Sequence, residues 1–190
     1  MSRAYRIKVR ETLTRDIRAE DSIQTRIELL EVLPPERMAE LLTKELEARG
    51  FEPQEDGTLV RVRDGARVTV EPCTGEVTIA AEAEKTIQLE GTREGYGYDD
   101  LGPTRRTIQE RLTGEVKADL EKRADQSAAR LQTEATQKLE KQLADMQPEM
   151  AQVVHRVTAE ALKEKAAQMG QVREVHEDPN SGSLTIRVEV

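Results

Sequence analysis

Apolar and polar side chains alternate along most of the first hundred residues, a pattern that is typical of β-strands. Near the N-terminus, Tyr5, Ile7 and Val9 alternate with basic residues. Successive side chains of a strand point to opposite faces, so one row should contact a core and the other should face water. The same pattern returns over residues 23–29. We therefore expect two strands that are joined by a turn within residues 11–21.

A helical pattern follows, with apolar residues at spacings of three and four. Pro34 and Pro35 suit the first turn of a helix, because the backbone N–H has no partner there, and Gly50 suits its end. We expect this helix to cover one face of the sheet. Its apolar stripe consists of Met38, Leu41, Leu42 and Leu46.

Three turn signals then separate short alternating segments, which predicts an antiparallel meander with tight hairpins. Each signal is a pair that ends in glycine, and the pairs are Asp56-Gly57, Asp64-Gly65 and Thr74-Gly75. We expect a further extended stretch over residues 85–91. The aliphatic side chains that should share the core are Val60, Val62, Val68, Val70, Val77 and Ile79.

From residue 103 onward the pattern is helical, and residues 103–147 are rich in Ala, Glu, Lys, Gln and Leu. Proline disfavours helical geometry in the residue before it, so Pro148 predicts a break. A second apolar stripe then continues to Gly170. The two segments predict an antiparallel helical hairpin, that is, a coiled-coil-like arm.

The two helices of this arm differ in length. At ~1.5 Å per residue, the second helix would cover only about half of the first. An apolar stripe left in water costs ~25 cal/mol per Å². We therefore expect the uncovered face to pack on the body of the protein, on a second copy or on another protein. This face consists of Ile108, Leu112, Val116 and Leu120.

The end of the chain returns to strand patterns. Residues 171–190 predict a hairpin around the turn-forming residues 178–182, and we expect this hairpin to rejoin the N-terminal sheet. The fold class is therefore α+β: an antiparallel sheet with one packed helix, plus the long inserted helical hairpin. Residues 1–100 with 171–190 would form the body, and residues 101–170 the arm.

Composition limits the classes of function. The hydrophobic fraction is 36%, and there is no Trp and only one Phe, so the core must be small and aliphatic. A net charge of −8 disfavours nucleic acid, which needs a basic stripe. No apolar run approaches the ~20 residues that span a bilayer, and the first residues lack the apolar core of a secretory signal. We expect a cytoplasmic protein without membrane contact.

Residues with reactive side chains are few and scattered. Cys73 is the only cysteine, so it can form neither an intrachain disulfide nor a cysteine-based metal site. The two histidines, His155 and His176, have no second histidine at ligand spacing. Paired acids such as Asp99-Asp100 suit turns better than catalysis. We expect no catalytic, metal or cofactor site, and an enzyme ranks last among the functions considered.

Tyr96 and Tyr98 stand between glycines in the stretch EGYGYDD. One interpretation is a glycine-hinged contact for a ligand or a peptide. The other is a joint between the sheet and the arm, in which Gly95 and Gly97 permit tight turns. We favour the joint.

A resemblance to a known family lies in residues 4–42, AYRIKVRETLTRDIRAEDSIQTRIELLEVLPPERMAELL. This stretch resembles the N-terminus of small accessory proteins of the bacterial FtsH, vWA and MoxR ternary systems. They are encoded beside an AAA+ ATPase and a von Willebrand A domain protein. The stretch DGARVTVEPCTGEVTI, residues 64–79, and the last strands are similar to parts of the same systems. The resemblance implies an adaptor or effector-side component and brings no active-site residues with it.

We therefore predict a non-enzymatic interaction protein that is accessory to such a system. Its arm would dock by helix-on-helix burial of the four apolar residues described above, on a second copy or on another protein. The alternative is a small-molecule or peptide sensor that uses Tyr96 and Tyr98.

Overall fold

The computed structural model describes residues 4–98, 102–177 and 183–189. Five strands form one antiparallel sheet in the order β1-β5-β4-β3-β2, and two further strands, β6 and β7, form a second sheet. The fold class is α+β, as the sequence pattern predicted. In chain order the elements are β1 (Ala4–Arg26), α1 (Pro35–Ala48), β2 (Glu52–Pro53), β3 (Leu59–Arg63), β4 (Ala66–Glu71), β5 (Glu76–Tyr98), α2 (Arg105–Met169), β6 (Gln171–Glu177) and β7 (Leu184–Glu189).

The chain groups into two compact units, whose limits fall within β1, β5 and α2. Unit 1 contains the described residues of 1–20 and 82–136, and unit 2 those of 21–81 and 137–190. The division into a body and an arm stays a prediction.

β1 is a single strand of 23 residues, so the predicted turn within residues 11–21 is wrong. Asp16 and Glu20, which suggested the turn, lie on the exposed face of the strand. Ile17 and Ala19 are buried and continue the alternation of the preceding residues. The strand therefore continues through this segment without a turn.

In unit 1, β1 and β5 form a two-stranded ribbon. Contacts between exposed side chains show that the strands are antiparallel, because the residue number rises in one strand as it falls in the other. These contacts are Arg18 with Glu84 (2.9 Å), Asp16 with Thr86 (2.7 Å) and Lys8 with Glu94 (3.6 Å).

The first half of α2 packs on the opposite face of this ribbon. Near the start of the helix, Ile108 and Leu112 form a buried cluster with Ile7 and Val9. Farther along the helix, a second cluster joins small and branched side chains of all three elements. Its buried members are Ile17, Ala19, Ala83, Ile87, Ala124, Leu131 and Ala135.

The predicted break at Pro148 is wrong, because α2 is one helix from Arg105 to Met169 with the proline inside it. The predicted antiparallel helical hairpin is therefore wrong as well. A proline within a helix costs ~3 kcal/mol. On both sides of Pro148, residues of α2 belong to the core of unit 2, and their burial outweighs this cost. These residues include Met146, Val153 and Val157.

Unit 2 contains the predicted helix and the predicted meander. α1 buries Met38, Leu42 and Leu46. Three glycines with positive φ (84°, 77° and 73°) occupy the predicted turns at residues 57, 65 and 75. The core also contains Leu59, Val68, Val70, Val77 and Ile79.

Val60 and Val62 do not lie in this core, although the sequence pattern placed them there. Leu59 is paired with Val70, which is buried. The odd residues of β3 therefore share the helix-covered face, and the even residues point to the other side. Val62 is 64% exposed.

The C-terminal strands form the predicted hairpin, with Gln171 paired with Glu189 and Glu177 paired with Leu184. The expectation that it rejoins the N-terminal sheet is wrong, because β6 and β7 form a sheet of their own. The predicted turn at residues 178–182 lies outside the described residues.

One ion pair stands out in unit 2. Arg61 donates two hydrogen bonds of 2.7 Å to Glu149, and its guanidinium lies 4.4 Å from the centre of the Phe51 ring. The two charged side chains are only 14% and 22% exposed. The hydrogen bonds from Arg61 lower the pKa of Glu149, and the charge of Arg61 acts in the same direction against partial burial. The Nε of Arg61 is buried and has no hydrogen-bond partner among the described residues.

We expect Glu149→Gln to lower the free energy of unfolding by about 2 kcal/mol at pH 7, because the half-buried Arg61 loses its counter-charge. The carboxyl group has a lower pKa in the folded than in the unfolded state. Its contribution is therefore complete above a pH of about 4.5 and is lost as the pH falls through the folded-state pKa. Urea unfolding at pH 7 and at pH 3 measures the free energies of unfolding of wild type and of Glu149→Gln. The difference between the two proteins should be smaller at pH 3 than at pH 7.

Glu160→Gln is the control, because Glu160 pairs with Lys163 at an exposed position (2.8 Å). Exposed pairs contribute roughly 0–1 kcal/mol, so this variant should stay close to wild type at both pH values. A stability loss of Glu149→Gln that is equally large at pH 3 would contradict this account.

We expect Gly91→Ala to destabilise the protein by about 1–3 kcal/mol through overpacking. A Cβ atom at Gly91 would lie 2.7 Å from Cγ1 of Val116 and 3.3 Å from Cγ of Leu120. Gly114→Ala is the matched control in α2, since a Cβ there meets nothing within 4 Å. It should stabilise by up to about 1 kcal/mol. Thermal unfolding of both variants checks the pair, and equal stability of Gly91→Ala and wild type would refute close packing at this site.

Candidate interaction surface

The four apolar side chains that were predicted to form a docking surface are buried in unit 1. Ile108, Leu112, Val116 and Leu120 are 3%, 4%, 1% and 2% exposed. They face the ribbon, whose two strands are longer than the sequence pattern predicted. Of the three coverings considered, packing on the protein's own strands is the one observed. This covering was among those expected from the sequence, and it leaves these four side chains without an exposed surface for docking.

Gly95 and Gly97 are strand residues, so the prediction that they permit tight turns is wrong. Both lie on the face of β5 that is turned towards α2. A Cβ atom at Gly95 would lie 3.1 Å from Cδ1 of Leu112, and one at Gly97 would lie 2.5 Å from Cζ of Tyr5. The glycines therefore give room to the helix and to the Tyr5 ring. The acids at 99 and 100 lie outside the described residues.

Tyr96 and Tyr98 alternate with these glycines and project from the opposite face of β5. They are 67% and 56% exposed. β1 and β5 are paired so that Lys8 lies near Glu94. The same face of β1 therefore presents basic side chains beside the two tyrosines. We call this surface the ribbon face. It consists of Arg6, Lys8, Arg10, Glu94, Tyr96 and Tyr98.

The ribbon face carries more positive than negative charge. Arg6 donates a hydrogen bond to Glu94, and Nζ of Lys8 lies 3.6 Å from the same carboxylate. The hydrogen bond from Arg6 lowers the pKa of Glu94, and the pKa of Arg6 is raised in return. Arg10 is exposed and has no ion pair with any described residue. Two cations therefore share one carboxylate and a third stands beside them without one, in a chain whose net charge is −8.

Both outer edges of the ribbon are unpaired within the described residues of unit 1. β1 is the last strand in the order of the sheet, and β4 pairs with β5 only at residues 76–81. The ribbon thus offers a basic, aromatic face and two strand edges to solvent.

The remaining candidate residues do not form a site of their own. Cys73 is exposed and not in a disulfide. Within residues 4–98, 102–177 and 183–189, no group of three or more His, Cys, Asp or Glu side chains is arranged to hold a metal ion. In the same part of the chain, no helix has both the length and the apolar character needed to cross a membrane.

Fold and surface together define a small α+β protein with a solvent-exposed β-ribbon. The chain matches, over residues 1–190, the family model described as FtsH ternary system domain X5, and it belongs to this family. The resemblance noted for residues 4–42 is thereby confirmed. Comparisons with curated proteins and with solved structures give no significant match. Membership of a multi-component system implies that the chain has protein partners.

We expect Tyr96→Ser to change the free energy of unfolding by no more than about 0.5 kcal/mol, because the side chain is exposed. Tyr5→Ser is the contrasting variant. The Tyr5 ring packs on the cluster of Ile7 and Val9 and lies 5.8 Å from the guanidinium of Arg105, so its loss should cost about 1–3 kcal/mol. Thermal unfolding measures both. A large loss for Tyr96→Ser would mean that this ring stabilises the fold.

Proposed function

We propose that this chain is a non-enzymatic docking component of an FtsH-associated system, and that its ribbon face binds another protein of that system. One observation carries the proposal: Tyr96 and Tyr98, two of only four aromatic residues, are exposed next to each other on a regular strand. A chain that is this poor in aromatic residues would be expected to bury them in its core.

The composition of the ribbon face supports a role in binding. Tyrosine and arginine are enriched at protein interfaces, where a rigid ring provides contact area at a low cost in conformational entropy. The surrounding cations would speed up encounter with an acidic surface and would disfavour a basic one. The packing of α2 on the other side of the ribbon supports both strands, so little order would have to be gained on binding.

The ribbon face also supports the non-enzymatic part of the proposal. Acid–base catalysis requires groups in a concave and partly desolvated site. Here the guanidinium, ammonium and phenol groups stand on open strands in contact with water. The proposal keeps the interaction role that the sequence suggested and moves the docking surface from the helix to the ribbon. The sensor function stays a prediction.

We expect the double variant Tyr96→Ser/Tyr98→Ser to bind its partner at least about tenfold more weakly than wild type, because it loses the aromatic contact area. The binding partners to be tested are the purified AAA+ ATPase and the von Willebrand A domain protein of such a ternary system. Isothermal titration calorimetry measures each dissociation constant.

Val62→Ser is the matched control, since Val62 is an equally exposed apolar strand residue of unit 2 (64%). Its affinity should equal that of wild type. If wild-type protein binds neither component at micromolar concentration, the proposed function is wrong. If both variants bind as wild type does, docking does not use the ribbon face.

A further inference from the structure

The outer edge of β1 is long for an unpaired strand. Strands average about 5–6 residues, whereas β1 has 23. Open edges invite pairing with other chains, and proteins protect them with short strands or prolines. β2, the last strand at the other end of the sheet order, shows both devices, because it has two residues and one of them is Pro53. β1 shows neither.

The main-chain groups on this open edge belong to the even residues of β1. Ile27, directly after β1, donates its N–H to the carbonyl oxygen of Gly75, directly before β5, at 2.7 Å. The same register places Arg18 opposite Glu84 and Lys8 opposite Glu94. In an antiparallel pair, main-chain groups alternate between the neighbouring strand and the outer edge. The odd residues of β1 are therefore paired with β5. The N–H and C=O groups of Arg6, Lys8 and Arg10 point outward.

Two other carbonyl groups on the edges of the ribbon are capped by side chains of α2. Gln132 donates to the carbonyl oxygen of Glu20 at 3.2 Å, and Arg123 donates to that of Glu90 at 3.0 Å. No described side chain caps the main chain of β1 between Arg6 and Arg10 in this way. This interval is accessible to an added strand.

Charge distinguishes the two edges of the ribbon. The outward-facing even residues of β1 in this interval are all cations. The even residues of β5 that lie opposite this interval are Thr92, Glu94 and Tyr96, and the charged one among them is an acid. An acidic segment would therefore be attracted more strongly to the edge of β1 than to the edge of β5.

We propose that the outer edge of β1 from Arg6 to Arg10 binds an acidic, extended segment of a partner protein as an additional antiparallel strand. The main-chain hydrogen bonds of strand addition would supply affinity, and the side chains would supply specificity. This inference rests on the proposed docking function and specifies the class of partner segment.

The geometry of strand addition specifies the sequence pattern of that segment. Each of the three cations would form a hydrogen-bonded pair with the partner residue directly opposite, and opposite side chains lie on the same face. Partner residues at every second position would then stand opposite a cation. The segment should carry Asp or Glu at alternate positions and uncharged residues between them.

A labelled nonapeptide of alternating glutamate and threonine tests this pattern by fluorescence anisotropy. The control peptide has the same composition, with its glutamates grouped together. We expect the alternating peptide to bind at least about tenfold more tightly. Lys8→Glu should reduce this affinity by about tenfold or more, because it places like charges opposite each other.

Two proline variants separate strand addition from simple charge attraction. A proline is tolerated on an edge strand where its N–H would face solvent. Thr12→Pro removes an outward N–H next to the basic interval without changing the charge, and it should weaken binding of the alternating peptide. Thr92→Pro removes the corresponding outward N–H from β5 and should leave that affinity unchanged. Circular dichroism verifies that both variants are folded.

Amide hydrogen exchange gives a readout that needs no variant. The alternating peptide should slow exchange at Arg6, Lys8 and Arg10 by at least about tenfold and leave the odd residues between them unchanged. Equal affinity for the two peptides, or no protection at the even residues, overturns the inference. Tighter binding of a single-stranded oligonucleotide than of the alternating peptide also overturns it. Self-association of the wild-type chain that is abolished both by Lys8→Glu and by Thr92→Pro would overturn it as well.

The two proposals fail separately. If the tyrosine double variant loses its partner but the alternating peptide neither binds nor protects the edge, the docking function stands and strand addition is wrong. If wild-type protein binds no component of the system, the docking function is wrong whatever the peptide does.

Discussion

Close packing of α2 on one face of the β1–β5 ribbon determines the rest of unit 1. A two-stranded ribbon is marginally stable by itself and needs a layer on one of its faces. The helix supplies this layer with branched side chains near its start and with small ones farther on, such as Ala124 and Ala135. On the ribbon, glycines at positions 91, 95 and 97 replace side chains that would collide with the helix or with Tyr5. A core without large aromatic residues can be dense in this way.

This packing also defines what the ribbon presents to solvent. Side chains alternate between faces, and main-chain groups alternate between edges, with the same period of two. The odd residues of β1 pack their side chains on α2 and pair their main-chain groups with β5. The even residues therefore have exposed side chains and outward main-chain groups. The cations of Arg6, Lys8 and Arg10 thus occupy one face and one edge together. The same alternation on β5 places Tyr96 and Tyr98 on that face and the glycines beneath the helix.

Local sequence patterns predicted the α+β class, α1, the turns of the meander and the C-terminal hairpin, because their signals lie within a few residues of each other. They failed where distant packing outweighed a local signal. Asp16 and Glu20 suggested a turn, Gly95 and Gly97 suggested a hinge, and Pro148 suggested a break. In each case burial of the neighbouring residues keeps the element continuous.

The candidate surface could be predicted only in part, for a related reason. Tyr96 and Tyr98 were recognisable as unusual from composition alone, and the alternating cations as the exposed row of a strand. Their position on one surface depends on the pairing of β1 with β5, across some ninety residues of sequence, as the contact of Arg6 with Glu94 shows. No periodicity within either segment contains this information.

Arginine has different physical roles in the two units. In unit 2, Arg61 is 14% exposed and paired with Glu149 in two hydrogen bonds, so it is committed to the fold. In unit 1, Arg6 is 57% exposed, and exposed ion pairs such as Arg6 with Glu94 contribute little to stability. The cations of the ribbon face can therefore exchange one carboxylate for another at little cost to the fold. Such charges contribute little to stability but attract acidic surfaces over a long range. They would therefore select an acidic partner.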